Sequence, residues 1–359
     1  PTGNWPGFRG YRAQGTAQAN IKMPQSWSVP DNKNIKWRVP IPGLAHSSPI
    51  VWGDRVFITT AINSKGKSEL KLGLYGNIAP VKNPPAHSWW IYCLDRQTGK
   101  VIWKHKCHDG IPQVKRHTKA THANSTPTTD GKYIVAFFGS EGLFCLDMEG
   151  KQIWARNFGL LDSGFFRVPR AQWGFASSPI IHEDKVIIQC DVQKNSFIAA
   201  LDLKTGKTLW RTARTEVPTW STPTVYVGSE QTQVIVNGFK HIGGYDLETG
   251  KEVWQLSGGG DIPVPTPVIG YKLIFITNAH GPGSPIYAIK PNAKGNISLE
   301  QGEHSNQFIK WSVPRGGGYM QTPIVYEDHF YTCRDNGVLS CYAAKTGQLF
   351  YKERLGRAT

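Results

Sequence analysis

Short apolar runs separated by polar, turn-forming clusters recur along the whole chain, and one phrase returns at intervals. It runs from Ile91 through Cys93, Leu94, Asp95, Thr98, Gly99 and Lys100 to Trp103. It returns from Leu143 to Trp154, from Ile198 to Trp210 and from Ile242 to Trp254. Looser copies run from Ile286 to Trp311, where the turn is stretched, and from Leu339 to Tyr351, where Tyr replaces the terminal Trp. Each copy predicts a hairpin. The apolar segment is one strand, Asp-x-x-Thr-Gly-Lys is the turn, and the segment ending in Trp is the next strand. Asp95, Asp202 and Asp246 can fold back onto turn amides, while Gly99, Gly206 and Gly250 supply a left-handed φ.

A second signature precedes each hairpin: Ser47-Ser48-Pro49, Ser125-Thr126-Pro127, Ser177-Ser178-Pro179, Ser221-Thr222-Pro223, Pro265-Thr266-Pro267 and Gln321-Thr322-Pro323. After each proline come a short apolar strand, a polar turn such as Gly53-Asp54, and another strand. Proline at a strand's entry is tolerated there and disruptive inside it. Each unit therefore holds four strands. Successive tryptophans lie from 44 residues (Trp210 to Trp254) to 66 residues (Trp37 to Trp103) apart. The predicted fold is all-β, a β-propeller of four-stranded blades, because radial repetition leaves only short, protected strand edges.

Residues 1–33 read as an N-terminal extension and 34–359 as one propeller domain. Residues 34–39, with Trp37, read as an outer strand whose blade-mates are not upstream of it. Further C-terminal sequence is therefore expected, and one or two more blades would complete a ring of seven or eight. The stretch from residue 62 to 89, with Gly73, Gly76, Pro80, Pro84 and Pro85, reads as a surface excursion of the first blade.

Composition agrees with many short strands: 38 Gly, 24 Pro, 13 Trp and 13 Tyr stand against only 19% charged residues. No apolar run approaches the ~20 residues of a membrane-spanning helix. The formal charge of +15 favours an anionic small molecule or surface as partner. The Lys and Arg residues are scattered, however, and form neither the stripe nor the module of a specific nucleic-acid binder.

The repeated Asp-x-x-Thr-Gly-Lys-x-x-Trp phrase resembles the tryptophan-docking repeat of the quinoprotein propellers. That family includes PQQ-dependent alcohol dehydrogenases, the outer-membrane assembly lipoprotein BamB and many PQQ-binding-like bacterial proteins. The opening from Asn4-Trp5-Pro6 to Arg9-Gly10 resembles the last group most. The resemblance implies that Trp37, Trp103, Trp154, Trp210, Trp254 and Trp311 each dock on a neighbouring blade. It also implies a bacterial periplasm or cell-envelope setting, reached through a removed signal, and a protein partner.

The same resemblance raises a cofactor, PQQ over Ca²⁺. In the family PQQ lies between a Trp and a ring of adjacent cysteines, and this chain has no adjacent Cys pair. Ca²⁺ takes 6–8 oxygen ligands, and no matching carboxylate and amide cluster can be placed. No cofactor and no metal site are therefore expected. Cys93, Cys145 and Cys341 share one strand position with Ala200, Gly244 and Ala288, a place for a small side chain. Cys190 and Cys333 fall in the preceding strands and Cys107 in loop sequence. Residues 105–122, with His105, Cys107, His108, Asp109, His117 and His122 among four basic residues and Lys104 just before them, read as a solvated basic loop in preference to a metal site.

The remaining candidate is the mouth of the central funnel, lined by the connections into each inner strand. These carry His46, His122, Asn124, Trp173, Trp220, Asp261, Tyr319 and Gln321. Such side chains either form a pocket for a sugar, peptide or planar molecule or simply plug the channel. The leading expectation is a non-catalytic binding or scaffold propeller. The alternative is an enzyme, a PQQ-dependent oxidoreductase or a hydrolase acting at the funnel.

Overall fold

The computed structural model of the chain describes residues 3–17, 23–66, 70–71, 79–281 and 283–356. These residues form six antiparallel blades of four strands each, taken in chain order, one of them extended by a fifth strand. Blade 1 comprises Ile50–Trp52, Arg55–Asn63, His87–Asp95 and Val101–Gly110; blade 2, Thr128–Thr129, Tyr133–Phe137, Leu143–Asp147 and Gln152–Arg156. Blade 3 is Ile180–His182, Lys185–Cys190, Phe197–Asp202 and Thr208–Ala213; blade 4, Thr224–Val227, Thr232–Val236, Ile242–Asp246 and Glu252–Leu256. Blade 5 is Val268–Gly270, Leu273–Thr277, Ile286–Ile289 and Ile309–Val313; blade 6, Ile324–Tyr326, His329–Cys333, Val338–Ala343 and Leu349–Arg354. The four-stranded propeller unit legible in the sequence is thus the unit of the fold.

Turn chemistry explains why the hairpins form where they do. Asp95 Oδ1 accepts the amides of Gln97 and Thr98 and the Thr98 hydroxyl, and Asp202 and Asp246 repeat the arrangement with Thr205 and Thr249. These bonds hold the Asp95 and Asp202 carboxyls below the usual range, the threonine hydroxyl being the largest cause. The small position also has a steric reason. Cys93, Cys145, Ala200, Gly244 and Ala288 sit directly opposite Trp103, Trp154, Trp210, Trp254 and Trp311 in the ladder. A larger side chain there would collide with the indole. All six cysteines are free thiols.

The core lies between blades rather than within them. Val135, Cys145 and Trp154 of blade 2, for example, pack against Val186, Ile188 and Leu201 of blade 3. Two hydrogen bonds recur at these seams. On the outside, Trp103, Trp154, Trp210 and Trp311 donate Nε1 to the turn carbonyls of Met148, Leu203, Leu247 and Ala344 in the following blade. Trp37 does the same to Arg96 of blade 1. The turn glycine lies flat on the indole, and a Cβ on Gly206 would stand 2.6 Å from the Trp154 ring. Around the channel, the amides of Ser48, Thr126, Ser178 and Thr266 donate to the hydroxyls of Thr126, Ser178, Thr222 and Thr322, again one blade on.

The seam between blades 4 and 5 departs from both patterns. Trp254 donates instead to Gln233 Oε1 of its own blade, and Gln233 Nε2 reaches the Pro291 carbonyl of blade 5. The stretched blade 5 turn has no Thr-Gly on which an indole could lie. Part of that turn, Gly295–Asn296, pairs in parallel with the outer strand of blade 4, making that sheet five-stranded.

Three expectations are corrected. Residues 34–39 form no strand, because no neighbouring strand offers them a ladder; Trp37, Val39 and Ile41 pack as an irregular segment on Val56, Tyr92 and Leu94 of blade 1. His105, Cys107, His108 and Asp109 belong to the outer strand Val101–Gly110, not to a loop, because the strands of blade 1 run longer than those of the other blades. The excursion is shorter than 62–89, since strands reach Asn63 and resume at His87; Gly73 and Gly76 lie outside the described residues.

Candidate functional site

The connections entering each inner strand meet at one end of the ring, and they divide into two sectors of opposite character. On the side of blades 1 and 2 the groups are partly desolvated: His87 and Glu141 are buried, His122 is half-buried and His46 is exposed. The His46 amide bonds the Ala123 carbonyl, and the Trp89 indole bonds the His122 carbonyl. The His122 ring lies edge-on to His87, with centroids 4.9 Å apart, and its Nε2 is buried without a hydrogen-bond partner. Burial, helped by His87 and Arg116, pushes the His122 pKa down to about 3. His46 and His87 are lowered by the same desolvation and by Arg116. Glu141, which accepts the Gln113 amide, is pushed up to about 7 by burial. His122, Asn124, Glu141 and Phe175 line a small common pocket, narrowed by the Phe137 and Phe138 side chains.

Asn124, Trp173 and Trp220 bridge toward the other sector. Asn124 Oδ1 accepts the Thr121 amide and hydroxyl, and its Nδ2 donates to the Phe175 carbonyl. Trp173 stacks on His117 at 4.4 Å, and Trp220 Nε1 donates to the Gly174 carbonyl. These bonds tie three successive connections into one rim.

The second sector is charged and half-open. Between blades 2 and 3 the connection folds into a hairpin, Gly164–Phe165 paired with Val168–Gln172. Its tip carries Arg167 to Asp261 in the connection entering blade 5, with Nε to Oδ2 at 2.7 Å. The second oxygen of Asp261 meets His280 Nδ1 at 2.6 Å. Asp261 is 3% exposed at its side chain, whereas Arg167 and His280 are 51% and 44% exposed. Gly281 follows His280 at φ +66°, and a Cβ there would stand 2.5 Å from the carboxylate. Tyr319 stacks on His280, Phe165 meets its edge, and Phe166 leans on Phe239. Burial and then Asp261 raise the Tyr319 phenol. Met320 is 56% exposed beside them.

The loop bearing Phe239 rests on a buried polar network. Arg214, fully buried, makes a two-pronged pair with Asp191 and donates to Tyr245 Oη and the His241 carbonyl. Glu216 accepts the amides of Phe239, Lys240 and His241.

Of the eight residues named from sequence, Asp261 and Tyr319 meet through His280. His46 and His122 share the desolvated sector, and Asn124, Trp173 and Trp220 form the rim between. Gln321 turns back, accepting the Met320 amide, and joins none of them. Sequence reasoning missed Arg167, His280, Phe165, Phe166, Phe239 and Glu141. The long connection from 157 to 179 was the available signal for the hairpin, but nothing in the sequence pairs Arg167 with a carboxylate 94 residues away.

A family model described as "Outer membrane protein assembly factor BamB" matches residues 88–353 of the chain. A polyvinylalcohol dehydrogenase of a Pseudomonas species is 23% identical over 199 residues, which cover 51% of this chain and 25% of that protein. The chain thus spans about a quarter of that relative's length. Among solved structures, BamB from Moraxella catarrhalis aligns with a TM-score of 0.52 at 15% identity, covering 83% of this chain and 78% of that one. A quinohemoprotein alcohol dehydrogenase from Comamonas testosteroni aligns with a TM-score of 0.56 at 11% identity, covering 99% and 74%. At these identities the two structures share the fold with this chain. Among the described residues, no helix is long and apolar enough to cross a membrane.

Proposed function

The chain belongs to the family of the outer membrane protein assembly factor BamB, and we propose that it is a non-catalytic binding propeller of the bacterial cell envelope. It presents the charged sector of its mouth to a protein partner. Asp261 carries this reading. Both its oxygens are engaged, one by Arg167 and one by His280, so the buried carboxylate serves an internal ion pair. What the mouth offers here is exposed Arg167 and Met320 with half-buried Phe166 and Tyr319 between them, and aromatic, Arg and Met side chains are those enriched where protein interfaces are tightest. The exposed guanidinium and the chain's net positive charge favour an acidic partner surface.

The donor set at the mouth fits PQQ over calcium poorly. A hard cation asks for several free oxygens, and the nearest buried carboxylate is already neutralised. The six thiols are spread over blades 1, 2, 3 and 6, with Cys93, Cys145, Cys190 and Cys341 buried.

Two measurements test the proposal. Purified protein is expected to show no thermal shift with PQQ and Ca²⁺ and no PQQ-dependent dye reduction. Either signal would favour the alternative oxidoreductase, to which the similarity with polyvinylalcohol dehydrogenase points. A photoreactive side chain at Met320 is expected to capture a partner in envelope fractions, with capture abolished by Arg167→Glu. Capture indifferent to that substitution would remove the charged sector from the interface.

A further inference from the structure

Residues 3–15 lie outside the repeats, yet the structure runs them along the inner strands. Asn4 Oδ1 accepts the amide of Gly53, in the blade 1 turn at the end opposite the mouth. Trp5 and Val51 exchange both backbone hydrogen bonds, at 2.8 and 2.9 Å. The Pro6 carbonyl accepts the Thr129 amide of blade 2 at 2.8 Å. Arg12 offers its carbonyl to the Thr224 hydroxyl of blade 4 at 3.3 Å. Arg9, half-buried, sends Nη2 to the Pro323 carbonyl at the entry of blade 6, 3.0 Å away, and Nε to Ala13 of its own turn. One short segment therefore touches the inner strands of blades 1, 2, 4 and 6.

Its backbone is held against preference. Arg9, Arg12 and Ala13 have φ of 58°, 50° and 55°. Left-handed non-glycine residues cost about 1–2 kcal/mol each and persist where surrounding contacts over-determine them. Gly10, at φ 77°, lies under the Trp5 ring, where a Cβ would stand 2.8 Å from the indole. Three strained residues within five positions mark a segment clamped in place.

What the clamp accomplishes follows from the sheet order. Blade 6 is made of four consecutive strands and shares none with blade 1. Neighbouring blades are joined by their seams, but blades 1 and 6 stand at opposite ends of that series. Arg9 and Trp5 are four residues apart and hold one each.

We propose that residues 3–15 are an axial strap that ties blade 6 to blades 1, 2 and 4 through the hub of the propeller. Hydrogen exchange on full-length Arg9→Ala tests it. The amides of Ile324–Tyr326 are expected to exchange about tenfold faster than in the parent, the effect of losing one charge-assisted hydrogen bond of ~1.4 kcal/mol. Those of Ile180–His182, which the strap does not hydrogen-bond, should keep their rates. A uniform change, or none, overturns the proposal. Ala13→Gly gives a test of opposite sign: glycine relieves the left-handed residue only while the strap is seated, so the melting midpoint should rise. A midpoint that falls or stays put counts against a seated strap.

Discussion

The seam between blades 2 and 3 and the seam between blades 4 and 5 do the same job with different chemistry. In the first, Trp154 donates to Leu203 and lies on Gly206, and the Thr126 amide donates to the Ser178 hydroxyl. Both bonds come from the repeated motifs, one at each radius of the ring. In the second, neither motif bond forms. Trp254 turns onto Gly244, where a Cβ would stand 2.1 Å from its Nε1, and Gln233 carries its hydrogen bond across to Pro291. The Thr266 hydroxyl, 1% exposed as a residue, has no partner. Near the axis, Asn237 takes over by donating to the carbonyls of both Pro265 and Thr277, and Asn278 donates back to Asn237 Oδ1. The difference teaches where function can settle. Repetition secures the ring cheaply, and the place where repetition gives way is where Asp261 and His280 enter the mouth.

The buried polar network between blades 3 and 4, on which the Phe239 loop rests, should fail first and most severely. Asp191→Ala leaves Arg214 buried without its carboxylate and is expected to cost about 3–5 kcal/mol, measured by urea unfolding. A loss below ~1 kcal/mol would show the pair to be dispensable. Next comes Gln233→Ala, which strands both the Trp254 indole N–H and the Pro291 carbonyl. The buried indole N–H left unpaired costs about 1–3 kcal/mol and the half-buried Pro291 carbonyl up to about 1 kcal/mol more, so a loss of about 1–4 kcal/mol is expected. If the substitution is neutral, the seam does not depend on that bridge.

The desolvated sector sharpens the contrast through pH. His122 has a folded pKa of about 3, below its ordinary 6.5, so its neutral form is the one folding keeps. Stability from this group is full above pH 6.5 and falls as pH drops toward 3, by up to ~1.4 kcal/mol per pH unit. Glu141 acts in reverse. Its pKa is raised to about 7 from 4.5, so its contribution is full below pH 4.5 and is lost as pH rises toward 7. Between pH 4.5 and 6.5 the two slopes oppose. Glu141→Gln should therefore unmask a steeper acid loss in thermal melts from pH 6.5 to 4.5, and His122→Gln should remove it. Parallel profiles for parent and both variants would refute the assignment.

The smallest effects separate the two seams directly. Ser178→Ala removes the acceptor of the Thr126 amide and should cost about 1–3 kcal/mol. Thr266→Val removes a hydroxyl that accepts nothing and should lie within ~0.5 kcal/mol of the parent or be stabilising. Equal losses in the two variants would mean that the seams are alike.

Much of this could be read from local sequence because local physics decides it. Asp-x-x-Thr-Gly closes a turn with its own side chains, the small residue opposite each Trp is set by the ladder, and proline marks each inner strand's entry. The blade count among the described residues and the pairing within each sheet follow from these. Where a bond needed a partner that the motif did not contain, reading failed. Residues 34–39 carry a strand-like pattern but have no ladder, and Val101–Gly110 runs into what reads as loop because its neighbour His87–Asp95 is equally extended.

By itself, then, the sequence determined the repeat, the four-stranded blade and the small-opposite-large packing, all of them consequences of contacts within about fifty residues. Only the tertiary structure decided which groups share the mouth. Arg167 and Asp261 meet across 94 residues, Arg9 and Pro323 across 314, and Trp254 abandons the motif for Gln233. Closing the blades around an axis sets those pairs. Whether a buried charge finds its counterpart there depends on loop paths and burial, which no periodicity along the chain encodes.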